Sequence, residues 1–151
     1  MRTIKAACVA LLLASGVAAG AYAQGAGESV VKLPDKIEWK APAISPGTST
    51  AVLYGDPSKL GVFVTRVKIP AGFKIMPHTH PDDWRTVVVL SGTIYFGLGD
   101  KWDEGKLQAR PAGTFFSEQK AIPHFAWAKD GEVIIQVTGM GPSGTTPIPQ
   151  K

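Results

Sequence analysis

The chain has 151 residues, a formal net charge of +4 and one cysteine, Cys8. That length fits a single domain able to bury a core, and one cysteine excludes an internal disulfide framework. The basic residues form no cluster, which leaves nucleic-acid binding without support.

The first stretch reads as a secretory signal peptide, 1–23. Arg2 and Lys5 make a charged start, residues 6–19 are small and apolar, and Ala21-Tyr22-Ala23 supplies an A-x-A cleavage signal before Gln24. The apolar run is shorter than the roughly 20 residues a spanning helix needs, which argues against an anchor. Cleavage after Ala23 removes Cys8 and the two leading charges. The expected product is a cysteine-free exported protein, periplasmic or secreted, with no membrane contact after cleavage. Residues 24–49 follow as an arm broken by Pro34, Pro42, Pro46 and Gly47, with Trp39 as its one large anchor.

From Thr50 the pattern becomes regular. Strands are expected over 51–54, 62–69, 74–80, 85–90, 93–98, 114–117, 124–128 and 132–138. Between them stand turn signals such as Pro70-Ala71-Gly72, Pro81-Asp82-Asp83, Ser91-Gly92, Pro111-Ala112-Gly113 and Asp130-Gly131, and a polar loop over 99–105. Helical periodicity is confined to the leader. Many short strands with closely spaced turns predict an all-β sandwich or barrel over 50–139. Residues 140–151, rich in Gly, Pro, Ser and Thr, form a tail that wraps or frays.

All three histidines of the chain fall in this region. His78 and His80 are two apart on an extended segment and so share a face. Imidazole is the commonest transition-metal ligand, and such a pair is half of a tetrahedral or octahedral site. His124 lies in a second strand-like segment, and the site depends on whether the three converge; hydrogen-bonded interior histidines are the alternative. Arg85 shares a strand face with Val87 and Val89, so an inward charge there needs a partner from the chain or from a ligand. Met76 has the parity of His78 and His80 and is a pocket-lining candidate, with core filling as the alternative. Alternation from His124 turns Ala126 and Ala128 inward, leaving room for a ligand, and Phe125 and Trp127 outward. Phe73, Tyr95, Phe96, Phe115 and Phe116 are expected in the core, and Asp82 and Asp83 in a solvated turn.

Two spacings then become specific. Gly72-x5-His78-x-His80-x4-Arg85-x6-Gly92 resembles the first motif of the cupin family, and Gly113-x5-Gln119-x-Ala121-x2-His124-x3-Ala128 resembles the frame of the second. Gly99-Asp100-Lys101-Trp102-Asp103-Glu104 is similar to a loop of small exported bacterial cupins. The resemblance implies a single-domain jelly-roll β-barrel, likeness extending over 50–138, and homodimerisation. It also implies that His78, His80 and His124 hold one divalent transition metal, Fe, Mn, Zn, Ni or Cu. The implied activity is a metal-dependent oxygenase, isomerase or decarboxylase acting on a small organic acid, or non-catalytic capture of a small anionic ligand. By the same frame Glu118 and Gln119 fall near the barrel mouth, where a turn role is equally open.

The pattern departs from the family at Arg85, where a metal-binding Glu is usual. A guanidinium has no lone pair to give and stays charged. Three readings are open. Arg85 holds an anionic substrate beside a three-histidine metal site, its planar fork matching a carboxylate. Alternatively, Asp82 or Asp83 supplies the missing carboxylate and neutralises Arg85. Finally, the metal is absent and Arg85 joins the histidines in a cationic pocket. Gln119, Ala121 and Ala128 also stand where Pro, Gly and Asn are usual.

Overall fold

The computed structural model describes residues 29–41, 45 and 47–150, so the expected signal sequence over 1–23 lies outside the described residues. Ten strands follow one another: β1 (Ser49–Tyr54), β2 (Gly61–Ile69), β3 (Lys74–Thr79), β4 (Arg85–Ser91), β5 (Thr93–Leu98), β6 (Gln108–Pro111), β7 (Phe115–Ser117), β8 (His124–Trp127), β9 (Val133–Gly141) and β10 (Thr146–Pro147). The helical elements among the described residues are two 3-10 turns, Pro34–Lys36 and Glu104–Lys106. No described helix is long and apolar enough to cross a membrane.

The strands form two five-stranded antiparallel sheets, ordered β1-β2-β9-β4-β7 and β10-β3-β8-β5-β6. From β2 onward the chain passes repeatedly from one sheet to the other, the winding of a jelly roll, and the all-β barrel expected from the strand pattern is present. Period-two alternation sorts each strand into an inner and an outer row. On β4, Val87 and Val89 are buried while Leu90 is exposed.

Register stacks the inner residues in layers. In the first sheet Phe63 and Arg85 both pair with Gly139. The next layer joins Thr65, Val137, Val87 and Phe116, and the one after it Val67, Ile135 and Val89. In the second sheet His78 faces His124, and Ile75, Ala126 and Phe96 form the layer beneath. The polar residues therefore occupy one end of an otherwise apolar interior.

Several expectations are corrected. β3 carries a bulge between Ile75 and His78, at the Met76-Pro77 step. Proline has no N–H for a ladder and is tolerated at such irregularities. The extra residue reverses the parity, so Ile75 points inward and Met76, 46% exposed, points out. Phe125 does lie on the outer face of β8, yet it is fully buried, because the loop after β5 lays Trp102 over it at 5.2 Å between ring centroids. Gly97 opposite is required there, since a Cβ would stand 2.6 Å from the Phe125 ring. Phe115 is exposed on the edge strand β7. Tyr95 turns outward and donates to the Asp130 carboxylate. Strand β6 leaves no mark in the sequence pattern, because Gln108-Ala109-Arg110-Pro111 has no apolar alternation; it pairs with β5 and ends on a proline at the sheet edge.

Both flanking segments are tied down. Lys40 exchanges two backbone hydrogen bonds with Thr50, and the Lys68 ammonium lies 4.5 Å from the Trp39 ring centroid. The tail wraps: β10 pairs with β3, and the Ile148 N–H donates to the Pro77 carbonyl.

Candidate metal centre

The neighbouring strands β3 and β8 set His78 directly opposite His124, and His80 follows just past the end of β3. The ring centroids lie 4.3 Å apart for His78 and His124, 4.9 Å for His78 and His80, and 5.1 Å for His80 and His124. One nitrogen from each ring falls within 4.8 Å of the other two, and all three side chains are buried. The Nδ1 atoms are held by backbone carbonyls: Met76 at 2.8 Å for His78, Gly144 at 2.6 Å for His80 and Ile122 at 3.0 Å for His124. A carbonyl only accepts, so each Nδ1 carries the proton and each Nε2 presents its lone pair. The His124 Nε2 is buried and has no hydrogen-bond partner. Buried polar atoms are rarely left so, and a cation bound by the three Nε2 atoms would complete it. The residues present fit such an ion.

Burial, reinforced by the neighbouring His124, lowers the His78 pKa to about 4. Burial, followed by the Arg85 charge, brings His80 to about 4 as well. Both rings are neutral near pH 7, the form that binds metal. Their folded pKa values lie below the ordinary 6.5, so the unfolded chain takes up protons first as pH falls. In metal-free protein this contribution is complete above pH 6.5 and is expected to disappear between 6.5 and about 4. It amounts to on the order of 3 kcal/mol per histidine. Urea melts across that range check it; an unchanged midpoint from pH 7 to pH 4 would contradict the burial of these rings.

The carboxylate at the centre comes from a residue to which the motif frame assigned no ligand role. Glu118 lies just beyond β7, and its N–H donates to the Arg85 carbonyl. Its side chain, 8% exposed, places Oε2 3.7 Å from His80 Nε2 and Oε1 3.7 Å from His124 Nε2. Strand parity carried the signal, since Glu118 is two residues beyond the inward Phe116. Burial alone would raise the Glu118 pKa, but Arg85 first, then His124 and His80, more than offset it and hold the carboxyl below its ordinary value.

Arg85 points inward and finds its partners within the chain. Its Nε donates to Glu118 Oε2 at 2.5 Å, and its Nη1 to Asp82 Oδ2 at 3.2 Å. Asp82 is fully buried rather than solvated, and Oδ2 also accepts from the Ser143 hydroxyl at 2.8 Å. Asp83 remains at the surface, paired with Lys120. Of the three readings, the neutralising carboxylate is realised in Asp82, which faces Arg85, while the carboxylate facing the histidines is Glu118. Two of the three guanidinium nitrogens are thus engaged by the chain itself.

Beneath the histidines lies a cavity of about 360 Å³, bounded by Arg85 and Glu118 at the polar end and by Ile75, Phe96, Phe116 and Ala126 below. Ser143 and Gly144 of the tail and Thr48 of the arm also border it. Met76 lines a separate outer groove with Lys74, Trp102 and Ile148.

A jelly roll with two histidine segments facing each other across adjacent strands has the cupin fold, as comparison with solved structures shows. The polyketide cyclase RemF from Streptomyces resistomycificus superposes with a TM-score of 0.67 at 14% identity, covering 82% of this chain and 88% of that one. An RmlC-like cupin from Shewanella frigidimarina gives 0.57 at 14% identity, covering 75% and 91%. At such identities the likeness is one of fold. In sequence, the chain is 32% identical over 68 residues to Germin-like protein 5-1 of Oryza sativa subsp. japonica. That match spans 44% of this chain and 30% of the rice protein's length. No family model matches.

Proposed function

We propose that this protein is an exported cupin enzyme in which His78, His80 and His124 hold one divalent transition-metal ion, and that it acts on a small molecule in the adjoining cavity. The observation that carries this reading is the set of three buried imidazoles whose Nδ1 atoms are pinned to carbonyls, which frees every Nε2 toward a common point. Three imidazoles with a nearby carboxylate suit Fe, Mn, Zn, Ni or Cu rather than the all-oxygen ions. A bound ion would supply Lewis-acid polarisation of a substrate oxygen. The chain's own contribution is Glu118, kept ionised by Arg85 and facing the histidines, where it can take a proton from a substrate atom or join the ligand set.

A non-catalytic reading, capture of a small ligand with or without metal, is favoured by one observation. Glu118 Oε2 is tied to Arg85 at 2.5 Å, which stabilises the charged carboxylate and makes it a weaker proton acceptor. The two readings separate by turnover: the mature protein, its metal content measured as purified, is assayed on small acids and neutral aromatics with and without air. Metal-dependent turnover is expected, and metal-bearing protein inert to the whole panel favours capture.

Export rests on the leader features over 1–23, and a mature protein beginning at Gln24 is its expected form. Homodimerisation is supported by the edge position of β1 and by exposed apolar residues on it and on the arm, Val52, Tyr54, Val31 and Leu33.

A further inference from the structure

The chemistry of the cavity walls narrows the molecule that the cavity takes. Its charged lining is confined to Arg85 and Glu118, in the layer of the histidines. Arg85 is flanked by two carboxylates, Glu118 and Asp82, so this end holds no uncompensated positive charge for an acid group. Two buried carboxylates thus stand against one guanidinium at this end.

The two layers beneath are different in kind. Ile75, Ala126 and Phe96 from the second sheet face Phe116, Val67 and Ile135 from the first. Thr48, Thr50 and Thr65 add hydroxyls but no charge. The small side chain of Ala126, directly below His124 on β8, leaves the opening that makes this volume continuous with the histidines. Arg110 packs against Phe96 and Phe116, its guanidinium carbon 4.0 Å from each ring centroid and its Nη1 buried without a partner, but it does not line the cavity. A carboxylate drawn into these walls would therefore lose its water without gaining a partner. A flat apolar body would gain burial against two phenyl rings and aliphatic side chains. Small-molecule sites of this size are typically built this way, with mostly apolar walls and a few convergent polar groups that fix orientation.

We infer that the cavity takes an uncharged, predominantly apolar small molecule, a ring system bearing one hydroxyl or carbonyl, with the oxygen at the histidine layer and the rings in the two layers below. The inference rests on reading the cavity as the functional site and replaces the small organic acid expected from Arg85. It does not require the metal, since the walls supply the binding.

The test uses 2-naphthol and succinate as probes, with the mature protein in metal-free and Zn-loaded forms, read by calorimetry. Saturable binding of 2-naphthol is expected in both forms, with succinate at least tenfold weaker in each. Ala126→Leu fills the opening and is expected to weaken 2-naphthol at least tenfold while leaving metal content unchanged. Val67→Phe fills the same space from the facing sheet and serves if Ala126→Leu does not fold. Tighter binding of succinate than of 2-naphthol, no 2-naphthol binding to metal-free protein, or fillers that leave its affinity unchanged would each overturn the inference. Naphthol binding by a protein that takes up no metal would remove the metal proposal and leave this one standing.

Discussion

Replacing His124 with alanine is expected to lower the affinity for a divalent transition metal by at least about 100-fold. Outer-shell partners of metal ligands already cost about 10- to 100-fold when removed, and His124 is proposed as a ligand itself. Its Nε2 is the buried atom of the cluster left without a hydrogen bond, so it has the most to gain from an ion. The effect should not come from misfolding. The ring is stacked on Phe96 at 5.2 Å between centroids, and its loss leaves a cavity, but it also removes an unpartnered buried nitrogen, two changes of opposite sign. Metal-free wild type and variant should therefore melt within a few degrees of each other. At the same concentration, added Zn²⁺ should raise the wild-type midpoint well above any rise in the variant's. A His124→Ala protein with undiminished metal content would end the three-histidine proposal.

How much of this site was legible beforehand varies residue by residue. His78, His80 and His124 could be read because the chain has no other histidines and because strand alternation is local. Their convergence was implied only by the resemblance of the two segments to the cupin motifs. Met76 could not be read correctly, since a bulge is one residue of extra length set by a long-range pairing with β8, and parity carries no record of it. Phe125 was placed on the right face but with the wrong burial, because what covers it is a loop from elsewhere in the chain. Glu118 shows the limit most plainly. Its parity with Phe116 pointed inward, yet a carboxylate near a turn is ordinarily solvated. Only the tertiary approach of β4 and β7 shows that Arg85 and Glu118 answer each other. The exchange is chemically coherent: where the cupin motif that this chain resembles has an acid, β4 presents a cation, and the acid arrives from just beyond the neighbouring strand β7.

That exchange makes Arg85→Glu the most informative substitution. In the wild type one cation sits between two buried carboxylates, with side-chain exposures of 13% for Arg85, 0% for Asp82 and 8% for Glu118. Reversing its charge puts three carboxyl groups together without a counter-ion. Breaking a buried pair by removing one partner costs about 3–5 kcal/mol, and like charge adds to that. The metal-free variant should therefore melt on the order of 10 °C or more below the wild type. The clustered carboxyls will lower the cost by binding protons, so the deficit should shrink as pH falls toward 5. A divalent ion acts in the opposite direction to the mutation. It supplies the missing positive charge, and it finds Glu118 released from Arg85 and 3.7 Å from two of its ligand nitrogens. Metal affinity should rise, and the Zn²⁺-induced increase in melting temperature should exceed that of the wild type. Arg85→Met separates the two effects, because it frees Glu118 without adding a carboxyl and should show a smaller metal-free deficit with a similar gain in affinity. If Arg85→Glu melts with the wild type in the absence of metal, the Arg85–Glu118–Asp82 cluster is not the buried charge arrangement described above. If it melts low but gains nothing from Zn²⁺, Glu118 serves to neutralise Arg85 and has no part in holding the ion.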